Sequence, residues 1–154
     1  MAKVMKFADK VKKIKRTALV GFKTDDGDII EFKVASRPQA KVDEINAKYE
    51  QMMPKVPTKR LPTQGGKPRI VEDADNPEYK AQVSALQSRN FAELALLFLD
   101  EEERPEGDIE QQIDQMLEVE LAGFISKIFQ RGLEVSGIID SKEDEEEFEE
   151  AKND

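Results

Sequence analysis

The sequence contains no cysteine, histidine or tryptophan, and only 6% of its 154 residues are aromatic. The absence of cysteine excludes disulfides, thiolate nucleophiles and sulfur metal ligands, and it fits a reducing compartment. The absence of histidine removes the usual general base at neutral pH and the imidazole metal ligand. We therefore expect neither a disulfide-stabilised fold nor catalysis by histidine or cysteine.

Long hydrophobic runs are also missing. No stretch reaches the run of about 18 apolar residues that a membrane span needs, and the positively charged first segment lacks the continuous apolar core of a secretory signal. We therefore expect a cytoplasmic protein without a membrane partner. Because 38% of the residues are hydrophobic and 37% are charged, core material is scarce, and the length predicts one domain with charged ends.

Charge is unevenly distributed along the chain. The net charge of −9 argues against nucleic acid as a partner, because a phosphate backbone favours positive surface. Residues 140–154 are strongly acidic and predict a disordered tail. Residues 1–16 are basic and predict an amphipathic segment, either solvated or docked on a membrane surface or an acidic partner, one candidate being the acidic tail. Its apolar positions have helical spacing: Val4, Phe7, Val11 and Ile14.

The fold class predicted from periodicity is α+β, mainly α, with an N-terminal β-hairpin followed by helices that include a long antiparallel pair. Alternating apolar residues on both sides of Asp26-Gly27 predict the hairpin. Its two unpaired edges predict self-association. Residues 17–139 form the predicted single domain, which divides into a hairpin at 17–35, a helix at 38–53, a proline-rich exposed linker at 54–70, and helices at 76–100 and 108–131.

Helix-start signals support the long pair. Asn76 is a suitable N-cap and Pro77 suits the first helical position. Asp108 and Gln111 have the spacing of a capping box. The connection between the two helices is short, so they should fold back on each other, and Gly132 is expected to end the second.

Carboxylates are plentiful, but they occur in runs or on the polar faces of helices, as a solvated surface would have them. The aspartates around Gly27 lack the remaining ligand spacing of a calcium loop. We therefore predict no catalytic, metal or cofactor site. A carboxylate-dependent metal enzyme is the minor alternative.

The end of the helix at 76–100 is apolar on every side, which requires a large core or a partner. Packing against the helix at 108–131 covers one face only, through residues such as Ile113, Leu117, Leu121 and Phe124. The remaining face, Leu96, Leu97 and Leu99, needs cover from the hairpin or from another protein. The predicted partner-binding residues are Phe91, Leu94, Leu96, Leu97, Phe98 and Leu99.

The order of these elements resembles the tail assembly chaperones of long-tailed bacteriophages, over roughly Thr17 to Gly137. The hairpin TALVGFKTDDGDIIEFKV leads into a helix with Tyr49, then into PKVPTKRLP, and then into VEDADNPEYKAQVSALQSRNFAELALLFL. Many members carry a comparable proline-rich stretch before an Asn-Pro, acidic and tyrosine cluster that opens a helix.

The resemblance implies a non-enzymatic protein in the cytoplasm of the infected bacterium, absent from the mature virion. Its partners would be the tape measure protein, which it keeps soluble, and the tail tube protein, which it helps recruit. A longer form made by frameshifting is common in the family. The competing hypothesis is a structural virion protein such as a tail tube or connector subunit.

Overall fold

The structure, a computed structural model of the chain, describes residues 4–140. It confirms the predicted α+β, mainly α class, with an antiparallel hairpin near the N-terminus and helices after it. The α-helices and β-strands of the described part are α1 (Phe7–Lys13), β1 (Thr17–Lys23), β2 (Ile29–Ala35), α2 (Gln39–Met52), β3 (Thr58–Leu61), β4 (Arg69–Glu72), α3 (Pro77–Phe98), α4 (Ile109–Glu118) and α5 (Phe124–Val135), with a short 3-10 helix at Glu101–Glu103. Most of the predicted acidic tail lies outside the described residues.

Strands β1 and β2 form the predicted hairpin in a register that pairs Thr17 with Ala35 and Lys23 with Ile29. Gly27 lies in the turn at φ 88°, a left-handed conformation that favours glycine. Because side chains alternate across a strand, Ala18, Val20 and Val34 share the inner face, where all three are buried. The hairpin thus presents one apolar face to the helices.

Helix α3 begins as predicted: the Asn76 side chain accepts a hydrogen bond from the Tyr79 backbone N–H at 3.1 Å, and Pro77 is the first helical residue. The helix ends at Phe98, short of the predicted residue 100. Leu99 is extended and bridges to Val34 of β2, and the Asp100 N–H donates to the Lys33 carbonyl at 3.0 Å. The chain after α3 therefore covers part of the outer edge of β2.

The prediction of a linker at 54–70 is corrected by the structure, which forms a second antiparallel hairpin there. Strand β3 pairs with β4 in a register that sets Thr58 opposite Glu72, and Gly65 lies in the connecting turn at φ 70°. Prolines 57, 62 and 68 flank the strands without entering them. These prolines exclude a helix, but they are compatible with the hairpin because none of them removes a backbone N–H from the pairing of the two strands. The predicted exposure is correct, with seven of the eight strand residues exposed.

The helix predicted at 108–131 is also corrected. It begins with the predicted capping box of Asp108 and Gln111, but it divides into α4 and α5. Gly123 precedes α5 as its N-cap. The break lets α5 reach the hairpin, where the Phe124 ring centroid lies 5.2 Å from that of Phe22. Gly132 does not end a helix: it is buried inside α5, which continues to Val135.

Two apolar clusters explain why the end of α3 is apolar all round. The first joins α3 to the β1–β2 hairpin, α4 and α5, and includes Leu96 and Leu99. The second joins α3 to α2 and α5, and includes Leu94 and Phe98. The end of α3 therefore lies between two halves of the core. No helix among residues 4–140 is both long and apolar enough to cross a membrane.

Candidate protein-binding surface

The structure buries most of the side chains predicted to contact a partner. Relative exposure is 51% for Phe91, 4% for Leu94, 1% for Leu96, 0% for Phe98 and 1% for Leu99. Leu97 is half-buried against the second apolar cluster. These positions are core in the folded chain, and of the predicted set only Phe91 presents a large apolar side chain to solvent.

The cover for this end of α3 comes from the chain itself. Of the two alternatives left open by the sequence, the hairpin accounts for Leu96 and Leu99, which pack in the cluster that holds Val20 and Val34. Helix α2 contributes Val42 to the cluster of Leu94 and Phe98. A partner that binds the folded protein therefore cannot reach the four buried positions Leu94, Leu96, Phe98 and Leu99.

An exposed groove lies between the β1–β2 hairpin and the α4–α5 break. We call it the hairpin groove. Its volume is about 420 Å³. It is lined by Gly21, Phe22, Lys23, Ile29, Leu121 and Lys127.

The floor of the hairpin groove is apolar and rests on the core. The Phe22 ring packs edge-on against Phe32, with 5.8 Å between the ring centroids. Ile29 and Leu121 extend the apolar surface and are 61% and 52% exposed. Gly21 fits beside Ile29, because a Cβ at this position would lie 3.0 Å from the Ile29 Cγ2 atom. The groove therefore offers a supported apolar surface to a partner.

Two lysines give the hairpin groove a positive rim in a protein of negative net charge. Lys23 belongs to its lining, and the Lys127 Nζ atom lies 5.4 Å from the Phe22 ring centroid. A cation at this distance from a ring face is attracted by the ring quadrupole. An apolar segment flanked by acidic residues matches this combination of floor and rim.

The sequence contained only a partial signal for this groove. The predicted buried stripe is correct for Ile113 and Phe124, but Leu117 and Leu121 are 39% and 52% exposed. Leu121 lies in the break between α4 and α5. Ile29 begins β2 beside the turn, where alternation alone does not decide burial. Gly21 within a strand was the available signal, since such a glycine often marks close approach of another group.

A polar cluster built on a buried carboxylate and a buried hydroxyl joins α2 to α3. The Lys48 Nζ atom donates to the Glu93 carboxylate at 2.5 and 2.7 Å, and the Tyr49 hydroxyl donates to Glu93 Oε1 at 3.1 Å. Glu93 and Tyr49 are 6% and 2% exposed. Sequence reasoning missed the cluster, because Glu93 stands in an apolar run. It holds the two helices in register through charge-assisted hydrogen bonds.

We expect this cluster to make stability depend on alkaline pH. Burial, reinforced by the Glu93 charge, raises the pKa of Tyr49 from 10.0 to about 12. The unfolded chain then loses the tyrosine proton at lower pH than the folded chain does. The contribution of Tyr49 is complete below pH 10, and it should decline by about 1.4 kcal/mol per pH unit as the pH rises toward 12.

Urea unfolding of the natural protein and of the Tyr49→Phe variant, at about pH 9 and about pH 11, tests this dependence. The variant keeps the ring but has no hydroxyl to titrate. The stability of the natural protein should fall more steeply over that interval. Equal slopes for the two proteins would contradict the assignment.

Two arginines meet at the C-terminal end of α3. Arg37 Nε donates to the Leu97 carbonyl at 2.9 Å, and an Arg104 guanidinium nitrogen lies 3.4 Å from the same oxygen. Burial lowers the pKa of Arg104, and the Arg37 charge adds to this effect. Cations at this position complement the helix dipole and the carbonyls left without helical partners. The pair stabilises the helix end on which the core depends.

Within residues 4–140, no group of three or more acidic side chains could hold a metal ion. No family model matches the chain, and neither a curated protein nor a solved structure matches it. The surface chemistry of the described residues is therefore the basis for a functional proposal.

Proposed function

We propose that this protein is a tail assembly chaperone of long-tailed bacteriophages, acting in the cytoplasm of the infected bacterium and absent from the mature virion. It keeps the tape measure protein soluble and helps recruit tail tube subunits. The hairpin groove is the observation that supports the proposal most directly, because it exposes a supported apolar surface with a positive rim. The proposal assigns no catalytic step and no cofactor to the protein.

The chemistry of the groove suits a chaperone. Burying a large apolar side chain contributes about 1.5–3 kcal/mol without demanding a fixed orientation. The exposed tips of Ile29 and Leu121 can therefore accept different apolar segments of a long client. Lys23 and Lys127 favour segments with acidic flanks and, because they are at the rim, affect the rate of encounter more than the strength of binding.

Replacing Ile29 and Leu121 with aspartate together should abolish the solubilising effect on the tape measure protein. The substitution puts two negative charges on the apolar floor, and loss of a central contact pair costs about 2 kcal/mol or more, which is about 30-fold in affinity. Co-expression followed by measurement of the client in the soluble fraction reports the effect.

Ile70→Asp is a matched control for this experiment. Ile70 is 64% exposed and Ile29 is 61% exposed, and both lie in two-stranded hairpins. Ile70 differs in lying outside the hairpin groove. This variant should solubilise the client as the natural protein does. Equal loss in both variants, or retention of activity by the groove variant while circular dichroism shows it folded, would refute the assignment of the groove.

The competing function, a tail tube or connector subunit of the virion, is favoured by one observation. The Thr24 N–H donates to the Asp28 carbonyl, and the Ser36 N–H donates to the Arg16 carbonyl. In an antiparallel pair this pattern means that the even-numbered residues of β1 direct their backbone N–H and C=O groups toward β2. The odd-numbered residues of β1 direct these backbone groups away from β2, and no other strand of the described part pairs with them. Such an edge supports self-association or subunit assembly. Mass spectrometry of purified virions separates the two functions, because abundant copies would exclude a transient chaperone.

A further inference from the structure

Helix α1 is a basic amphipathic helix that the folded domain does not cover. Phe7 and Ile14 are 83% and 61% exposed, and no residue of α1 is buried. The segment from residue 4 to residue 16 contains six basic residues and one acidic residue. Exposed aromatic and aliphatic side chains beside so many like charges form a surface for an anionic, partly apolar occupant.

A second groove lies at the base of α1, against the end of α5, and we call it the basal groove. Its volume is about 240 Å³. The described chain ends at Asp140, five residues beyond Val135 of the groove lining. The lining comprises Ile14, Lys15, Ala18, Arg131, Glu134 and Val135.

The sequence beyond Asp140 is acidic and therefore complements the basic helix α1. Residues 141–154 contain eight acidic and two basic residues, and Phe148 is their only large apolar side chain. The ten Cα–Cα steps from Asp140 to Glu150 can span about 33 Å when extended. Helix α1, with seven residues, is only about 10 Å long. The acidic segment is therefore long enough to run from the end of α5 along the whole of α1.

We infer that the acidic segment 143–150 docks on α1 of the same chain. Its carboxylates neutralise the lysines of α1, and it covers the exposed apolar positions that the domain leaves open. The helix is thereby withheld from other anionic surfaces. The β3–β4 hairpin is also basic, but its Lys59 already pairs with Asp73 at 3.5 Å, and it lacks the amphipathic helix beside the end of α5.

The absence of cysteine allows a direct test with the full chain. A spin label attached to the Ala151→Cys variant should broaden the amide signals of residues 7–16. Raising the salt to about 1 M shortens the Debye length from about 10 Å to about 3 Å and should weaken the broadening, because the charges are then screened. The triple variant K10E/K12E/K13E should lose it, and combining that variant with E145K/E146K/E147K should restore it.

The charge reversal in α1 leaves the fold intact, because no residue of α1 is buried. The matched reversal K55E/K59E/R60E in and before β3 should leave the broadening at α1 unchanged. Absence of broadening at α1, or broadening centred on residues 58–72, would overturn the inference. Broadening seen only when the label and the isotope are on different molecules would also overturn it, because it would show docking on a second copy.

Discussion

Replacing Gly132 with alanine is expected to lower the free energy of unfolding by about 2 kcal/mol, although alanine is the better helix former. A Cβ at this position would lie 2.2 Å from Phe98 Cγ and 2.4 Å from Phe98 Cβ. Because Phe98 Cβ is itself in the clash, a change of ring rotamer cannot remove the overlap. Helix α5 would have to move away from α3 in a core where both residues are buried. The midpoint of thermal unfolding should fall by roughly 4–8 °C.

Gly123→Ala is the matched control for that experiment. The same methyl group at Gly123 meets nothing within 4 Å, so only the capping preference for glycine over alanine, about 1 kcal/mol or less, is at stake. In the Phe98→Ala background, the Gly132→Ala change should cost less than it does alone, since the contacts with Phe98 Cγ and Cδ1 are gone and only the Cβ overlap remains. An identical cost in both backgrounds would disprove the proposed contact.

Replacing Leu96 with alanine is expected to cost about 2–5 kcal/mol, a large share of the stability of an ordinary domain. Leu96 is 1% exposed and packs between the hairpin and the helices. Truncation leaves a cavity that these elements can close only partly. Chemical denaturation measures the loss directly.

Leu121→Ala makes the same chemical change at a residue that is 52% exposed, and it should cost less than about 1 kcal/mol. If the hairpin groove binds the client, this variant should weaken client binding while leaving the fold stable, whereas Leu96→Ala should do the reverse at temperatures where it remains folded. Equal stability of the two variants would contradict the assignment of Leu96 to the hydrophobic core.

Local signals along the chain predicted the elements whose causes are local. Asn76 with Pro77, Asp108 with Gln111, and the Asp26-Gly27 turn each satisfy backbone groups within a few residues, so their positions follow from the sequence alone. The β3–β4 hairpin was missed because its prolines exclude a helix without revealing that the strands between them pair. The break before α5 was missed because an apolar stripe continues through it without interruption.

Locating the candidate site required the tertiary structure. Hydrophobicity identified Leu94 to Leu99 as surface that must be covered, and the contrast between the basic and acidic ends is plain in the sequence. Which element supplies the cover depends on how the hairpin and α2 pack, and this is a long-range property. Packing buries Leu96 and leaves Ile29 and Leu121 exposed, although all three are equally apolar. The sequence by itself determined the fold class, the caps and the charge pattern, whereas the tertiary structure decided which apolar residues remain available to a partner.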